Sequence, residues 1–130
     1  MILTINDPIY VQSVVVAIAE KSVPRILRAV VRAGYKVADA KDLTTALKMG
    51  ELHGCTVGDP DSGAVIIRLL NLRRGNVEDI WSLVHECVHA GTMLFARVGF
   101  PLRAKTDEPF AYYVSFLVKE VLEKAGQGVG

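Results

Sequence analysis

Two histidines and a glutamate share one short stretch of the chain, His85-Glu86-Cys87-Val88-His89. On a helix, side chains four positions apart stand on the same side, about one turn above each other. Two imidazoles so placed can hold one Zn²⁺, and the Glu between them can act as base toward a zinc-activated water. Five residues can coincide by chance. The reading therefore needs two further features: a helix under the stretch, and a third ligand after it.

Periodicity supports the helix. At about 100° per residue, Ile80, Leu83, Val84, Cys87, Gly91, Leu94, Phe95 and Val98 gather on one broad face. Ser82, His85, Glu86, His89, Thr92 and Met93 gather on the other. Asn76 fits an N-cap, and Glu78 and Asp79 suit the positive end of the helix dipole. Gly99 and Pro101 end the pattern. Cys87, Val88, Leu94 and Phe95 are expected to be buried against a sheet and a second helix. The competing reading is a pair of solvent-facing histidines on an amphipathic helix.

A third ligand is available in Asp107-Glu108-Pro109-Phe110-Ala111-Tyr112-Tyr113. Pro109 suits a first helical turn, and acids before it suit the N-terminus. Phe110, Tyr113, Val114, Leu117 and Val121 form a helical stripe, so this helix should pack on the first. Glu108 lies outside that stripe, beside Tyr112 and Ser115. It can ligate the metal, or Asp107 and Glu108 can simply cap the helix. Tyr112, one turn on, can donate to an oxyanion or serve as ordinary packing. His53 is a further site candidate, or a surface loop residue.

The stretch resembles the zincin metallopeptidases, and within them the gluzincin arrangement, whose third ligand is a Glu on a following helix. Eighteen residues lie between His89 and Glu108, close to the gap in thermolysin-like enzymes. The run His-Glu-Cys-Val-His-Ala followed by Asp-Glu-Pro-Phe-Ala-Tyr-Tyr is similar to small zincin-like proteins encoded by tailed bacteriophages. The similarity covers about Ile80 to Leu122; the chain before it matches in outline only. The resemblance makes His85, His89 and Glu108 ligands of Zn²⁺ and Glu86 the catalytic base. It implies a hydrolase with a protein or peptide substrate. The second domain of the large thermolysin-type enzymes has no counterpart here.

The remaining chain must position these residues. At 130 residues with 51% hydrophobic side chains, it is expected to fold as a single domain, 1–130, with a real core. Residues 1–75 form a strand, helix and hairpin scaffold, and 76–125 the metal-site helix pair. Ile2 to Ile5 and Ile9 to Ala19 read as strands, the second covered on both sides. Ser22 and Pro24 open a helix that Gly34 closes, with Ile26, Leu27, Val30 and Val31 inward. Asp39 to Gly50 is a weaker helix with Leu43, Ala46 and Leu47 inward. Gly54 to Val57 and Ala64 to Leu70 form a hairpin around the turn-rich Gly58-Asp59-Pro60-Asp61-Ser62-Gly63. Asp59 and Asp61 lack the rest of a calcium loop and read as turn formers. The tail from Gly126 to Gly130 should be irregular. The expected architecture is a small α+β zincin-like domain, a twisted sheet of three or four strands with helices on one face. Its hairpin supplies an edge strand on which an extended peptide can lie.

Composition narrows the partners. Net charge is +1 and no long basic run occurs, which disfavours nucleic acid; Arg25, Arg28 and Arg32 read as a solvated helix face. Cys55 and Cys87 imply no disulfide framework, which suits a reducing compartment. No signal-peptide pattern opens the chain and no apolar run can span a bilayer, so a cytoplasmic, membrane-free protein is expected. If it is phage-encoded, that means the host cytoplasm or incorporation in the virion. Three functions compete: a zinc peptidase, a structural zincin-like virion component contacting other virion proteins, and a zinc amidase acting on cell-wall peptide.

Overall fold

The computed structural model describes every residue except Val11, 37–39, 50–53, Pro60, Thr106 and 127–130. The expected helix ends at Asp39 and Gly50, the site candidate His53 and the tail beyond Gly126 lie outside the described residues. The elements are β1 (Ile2–Asn6), β2 (Ser13–Ile18), α1 (Val23–Arg32), α2 (Ala40–Met49), β3 (Cys55–Gly58), β4 (Val65–Leu69), α3 (Val77–Arg97) and α4 (Asp107–Lys124). The fold is α+β: a mixed four-stranded sheet with four helices packed on it.

Strand order is β1-β2-β4-β3. β1 runs antiparallel to β2, β2 parallel to β4, and β3 antiparallel to β4, so β1 and β3 are the edges. β4 is buried along its whole length, and β2 beyond Ser13. Alternate side chains of both strands feed two separate cores. Val14, Val16, Ile67 and Leu69 pack beneath α3 and α4. Val15, Ala17 and Ile66 pack against Ile26 and Val30 of α1 and Leu43 and Leu47 of α2. Helices therefore cover both faces, not one as expected. The physical reason is in β2, which is apolar on both sides, and in β4, whose second side carries Ile66 and a buried Arg68 that donates to the Leu47 and Glu20 carbonyls.

The β1–β2 connection also differs from the expected long strand. Asp7 accepts from the backbone N–H of Ile9 at 2.7 Å and of Tyr10 at 3.2 Å, fixing a turn, and β2 begins only at Ser13. In the β3–β4 loop, Asp59 accepts from the Asp61 N–H and the Ser62 hydroxyl, both at 2.9 Å, and from the Lys36 N–H at 3.3 Å. Burial alone would raise the Asp59 pKa, but these donors outweigh it and hold it below the usual carboxylate range. Asp59 thus organises a turn.

α3 starts where the sequence places it. Asn76 accepts from the Asp79 N–H at 3.0 Å. Asp79 in turn receives the backbone N–H of Arg73 at 2.7 Å and its guanidinium at 2.8 and 3.1 Å. Leu83, Cys87, Ala90, Leu94 and Phe95 face the core. Val88 was expected among them but is 39% exposed. Gly91 lets α4 come close: a Cβ there would lie 2.8 Å from the Phe110 ring and 3.2 Å from Val114. Phe110 also packs edge-on against Phe95. The first turns of α4 therefore lie beside the C-terminal half of α3.

Candidate metal centre

His85 and His89 project from the exposed side of α3, which is turned away from both the sheet core and α4. Their Nε2 atoms are 3.1 Å apart, with the rings nearly perpendicular at 76°. Trp81 lies against His85 at a centroid distance of 5.2 Å. Two ligands at Zn–N distances of about 2.0–2.1 Å in a tetrahedral site stand roughly 3.3–3.4 Å apart. The observed Nε2 separation is close to that edge, so the pair fits a small divalent cation with only slight opening.

Glu86 differs from expectation. The helical wheel groups it with the histidines on the polar side, yet it is only 5% exposed. Its position, between the histidine face and the core, points it under the edge strand β3. There the Thr56 hydroxyl donates to its carboxylate, and lies 3.2 Å from its main-chain carbonyl. One hydroxyl proton cannot serve both acceptors at once. Gly54, just before β3, keeps the approach open. It adopts φ +100°, and a Cβ there would lie 2.7 Å from the Arg68 carbonyl and 3.8 Å from Glu86 Oε1. Thr56 is a site residue that sequence reasoning missed. The hairpin was expected beside the metal, but nothing in the run Cys55-Thr56-Val57 marks which side chain meets the helix.

Glu108 and Tyr112 stand elsewhere. With Pro109 and Phe116 they line a groove against Asp7 to Tyr10. Among the described residues, no three His, Cys, Asp or Glu side chains are grouped to hold a metal. The structure thus brings His85 to His89 and, separately, Glu86 to Thr56, and groups neither Glu86 nor Glu108 with the two histidines as a third metal-holding side chain. Phe110, two residues after Glu108, packs against Gly91, on a face of α3 other than the exposed one that carries the histidines. Tyr112 is 70% exposed, whereas Tyr113 is buried and donates to the Gln12 side-chain oxygen.

The cysteines are not poised for chemistry. Burial, then the nearby Glu86 charge, pushes the Cys87 thiol up to about 12. The same two causes, in that order, raise Cys55. Both are free thiols. Among the described residues no helix is long and apolar enough to cross a membrane.

No family model matches the chain, and neither a curated protein nor a solved structure shows significant similarity to it.

Proposed function

We propose that His85 and His89 bind Zn²⁺ and that the protein is a zincin-like metallopeptidase, with Glu86 as general base. The observation that carries this reading is the 3.1 Å Nε2 separation of His85 and His89, on the helix that also carries the buried Glu86. A bound Zn²⁺ supplies Lewis-acid polarisation and makes water acidic enough to react near neutral pH. The chain supplies the rest. The two imidazoles present Nε2 lone pairs to one point. Glu86 accepts a proton and returns it to the leaving amine, while Thr56 fixes its carboxylate in place. The open edge of β3 can hold an extended peptide by strand addition next to Glu86.

Glu108 is the proposed third ligand. Its carboxylate has no hydrogen-bond or ion-pair partner among the described residues. Ligation requires the first turn of α4 to leave the groove beside Asp7–Tyr10. A second reading, a catalytically silent zincin-like component of a phage particle, is favoured because, among the described residues, no third His, Cys, Asp or Glu is grouped with the histidines. The exposed apolar surface at Ile9 and Tyr112, 79% and 70% exposed, also suits an assembly contact.

The test is Glu86→Gln, which keeps side-chain size but loses the proton-accepting carboxylate. Under the peptidase reading, cleavage of a peptide library falls about 10²–10⁴-fold while zinc content is unchanged. Cleavage undiminished in this variant overturns the mechanism. Absence of cleavage by the zinc-loaded wild type favours the structural reading.

A further inference from the structure

The face of the sheet opposite the histidines carries a second feature. Beside α1, β1 and the start of β2 form with it a groove of about 510 Å³. Its floor is Thr4 and Asn6 of β1 with Ser13 of β2, and Ser13 donates to Asn6 at 2.9 Å. Its wall is the arginine face of α1, Arg25, Arg28 and Arg32, and the small side chains of Ala29 and Ala33 leave room between wall and floor. Among the described residues, no acidic side chain lines it. Arg25 is engaged with Glu20 at 3.0 Å. Arg28 and Arg32 have no acidic partner among the described residues. The groove therefore presents two uncompensated guanidinium groups over a floor of hydroxyl and amide side chains.

The groove also borders an open strand edge. Met1 exchanges backbone hydrogen bonds with Ile18, and Asp7 donates to Gln12. By the alternation of an antiparallel ladder, Ile2, Thr4 and Asn6 then turn their N–H and C=O groups to the outer edge. No strand pairs with that edge among the described residues. These same residues direct their side chains to the groove. A peptide added to the edge would point every second side chain over the same face, about 6.8 Å apart. Arg28 and Arg32 are four residues apart on α1, a rise of about 6 Å. The two spacings match closely enough for one acidic side chain per arginine.

We propose that the β1 edge and the α1 arginines form a docking site for an extended acidic protein segment carrying Asp or Glu at alternate positions. Main-chain pairing holds the segment, and bidentate carboxylate contacts to Arg28 and Arg32 select it. Nucleic acid fits less well. The chain's net charge is only +1, and among the described residues no aromatic side chain lines the groove to stack a base.

The experiment is fluorescence polarisation with a labelled short peptide alternating glutamate and valine. Parallel arms use a lysine-for-glutamate peptide, a backbone N-methylated version and a labelled single-stranded oligonucleotide. The proposal expects binding of the first peptide alone. Affinity falls at least tenfold in the Arg28→Gln/Arg32→Gln double variant, whose fold is checked by circular dichroism. Peptide addition should also slow hydrogen exchange at the Thr4 and Asn6 amides. Equal binding of the lysine or N-methylated peptide, an unchanged double variant, or binding of the oligonucleotide alone each overturns it.

Discussion

Thr56 and Glu86 lie thirty positions apart in the chain and meet side chain to side chain, the hydroxyl of an edge strand against the carboxylate of the histidine-bearing helix. This contact ties β3 to α3 at the point where the proposed chemistry would occur. Thr56→Val removes the hydroxyl at nearly constant shape and leaves a buried carboxylate short of a donor. Such a loss costs about 1–3 kcal/mol. Urea denaturation should show that cost, and zinc content should be unaffected. A variant as stable as the wild type would mean that Glu86 draws its support from elsewhere.

The close approach of α3 and α4 gives a second prediction. Gly91→Val would drive a side chain into Phe110 and Val114. Overpacking of this kind costs about 1–3 kcal/mol. Leu94, fully buried beneath the same helices, should cost about 2–5 kcal/mol as Leu94→Ala. Denaturant midpoints measure both, and an unshifted midpoint for either would show that the helix pair is packed differently.

Much of this packing is legible in the sequence, and its failures have physical causes. Asn76, Gly99 and the stripe Tyr113, Leu117 and Val121 mark helices through local chemistry, and local chemistry survives in the fold. Val88 and Glu86 exchange their expected environments because a helical wheel gives an angle, not the position of the neighbours. Glu86 is buried, and Thr56 of β3 meets its carboxylate. The two-sided cover of β2 is legible in its apolar run; that of the whole sheet is not, because β4 carries Arg68 among its apolar residues. The placement of Glu108 in the groove beside Asp7 to Tyr10 is not legible either, since it depends on which face of α3 receives α4, and the contact at Gly91 belongs to tertiary packing.

The cap of α3 should make stability depend on acid. Hydrogen bonding to Arg73, chiefly through its side chain, holds the Asp79 carboxyl below its ordinary value of 3.8. A depressed folded-state value means that the carboxylate stabilises the fold fully above its unfolded pKa. The stabilisation is lost as pH falls through the depressed folded value. Midpoints measured from about pH 6 down to about pH 2 should fall more steeply for the wild type than for Asp79→Asn. Parallel curves would remove Asp79 as a source of acid sensitivity.

The third ligand can be separated from the histidine pair. If Glu108 ligates, Glu108→Gln weakens zinc binding while circular dichroism and the denaturation midpoint stay unchanged, since the residue is exposed and on no core face. Unaltered zinc affinity in Glu108→Gln would restrict the protein ligands on the described surface to His85 and His89.

Zinc uptake by the wild type and by His89→Ala, measured side by side by titration calorimetry and elemental analysis after dialysis, tests the central claim most directly. The account predicts about one Zn²⁺ per wild-type chain and none retained by His89→Ala, because removing one imidazole leaves too few ligands to hold the ion. Equal zinc in both proteins, or none in the wild type, would contradict it: the 3.1 Å approach of the two Nε2 atoms would then be an imidazole hydrogen bond on a solvent-exposed helix face.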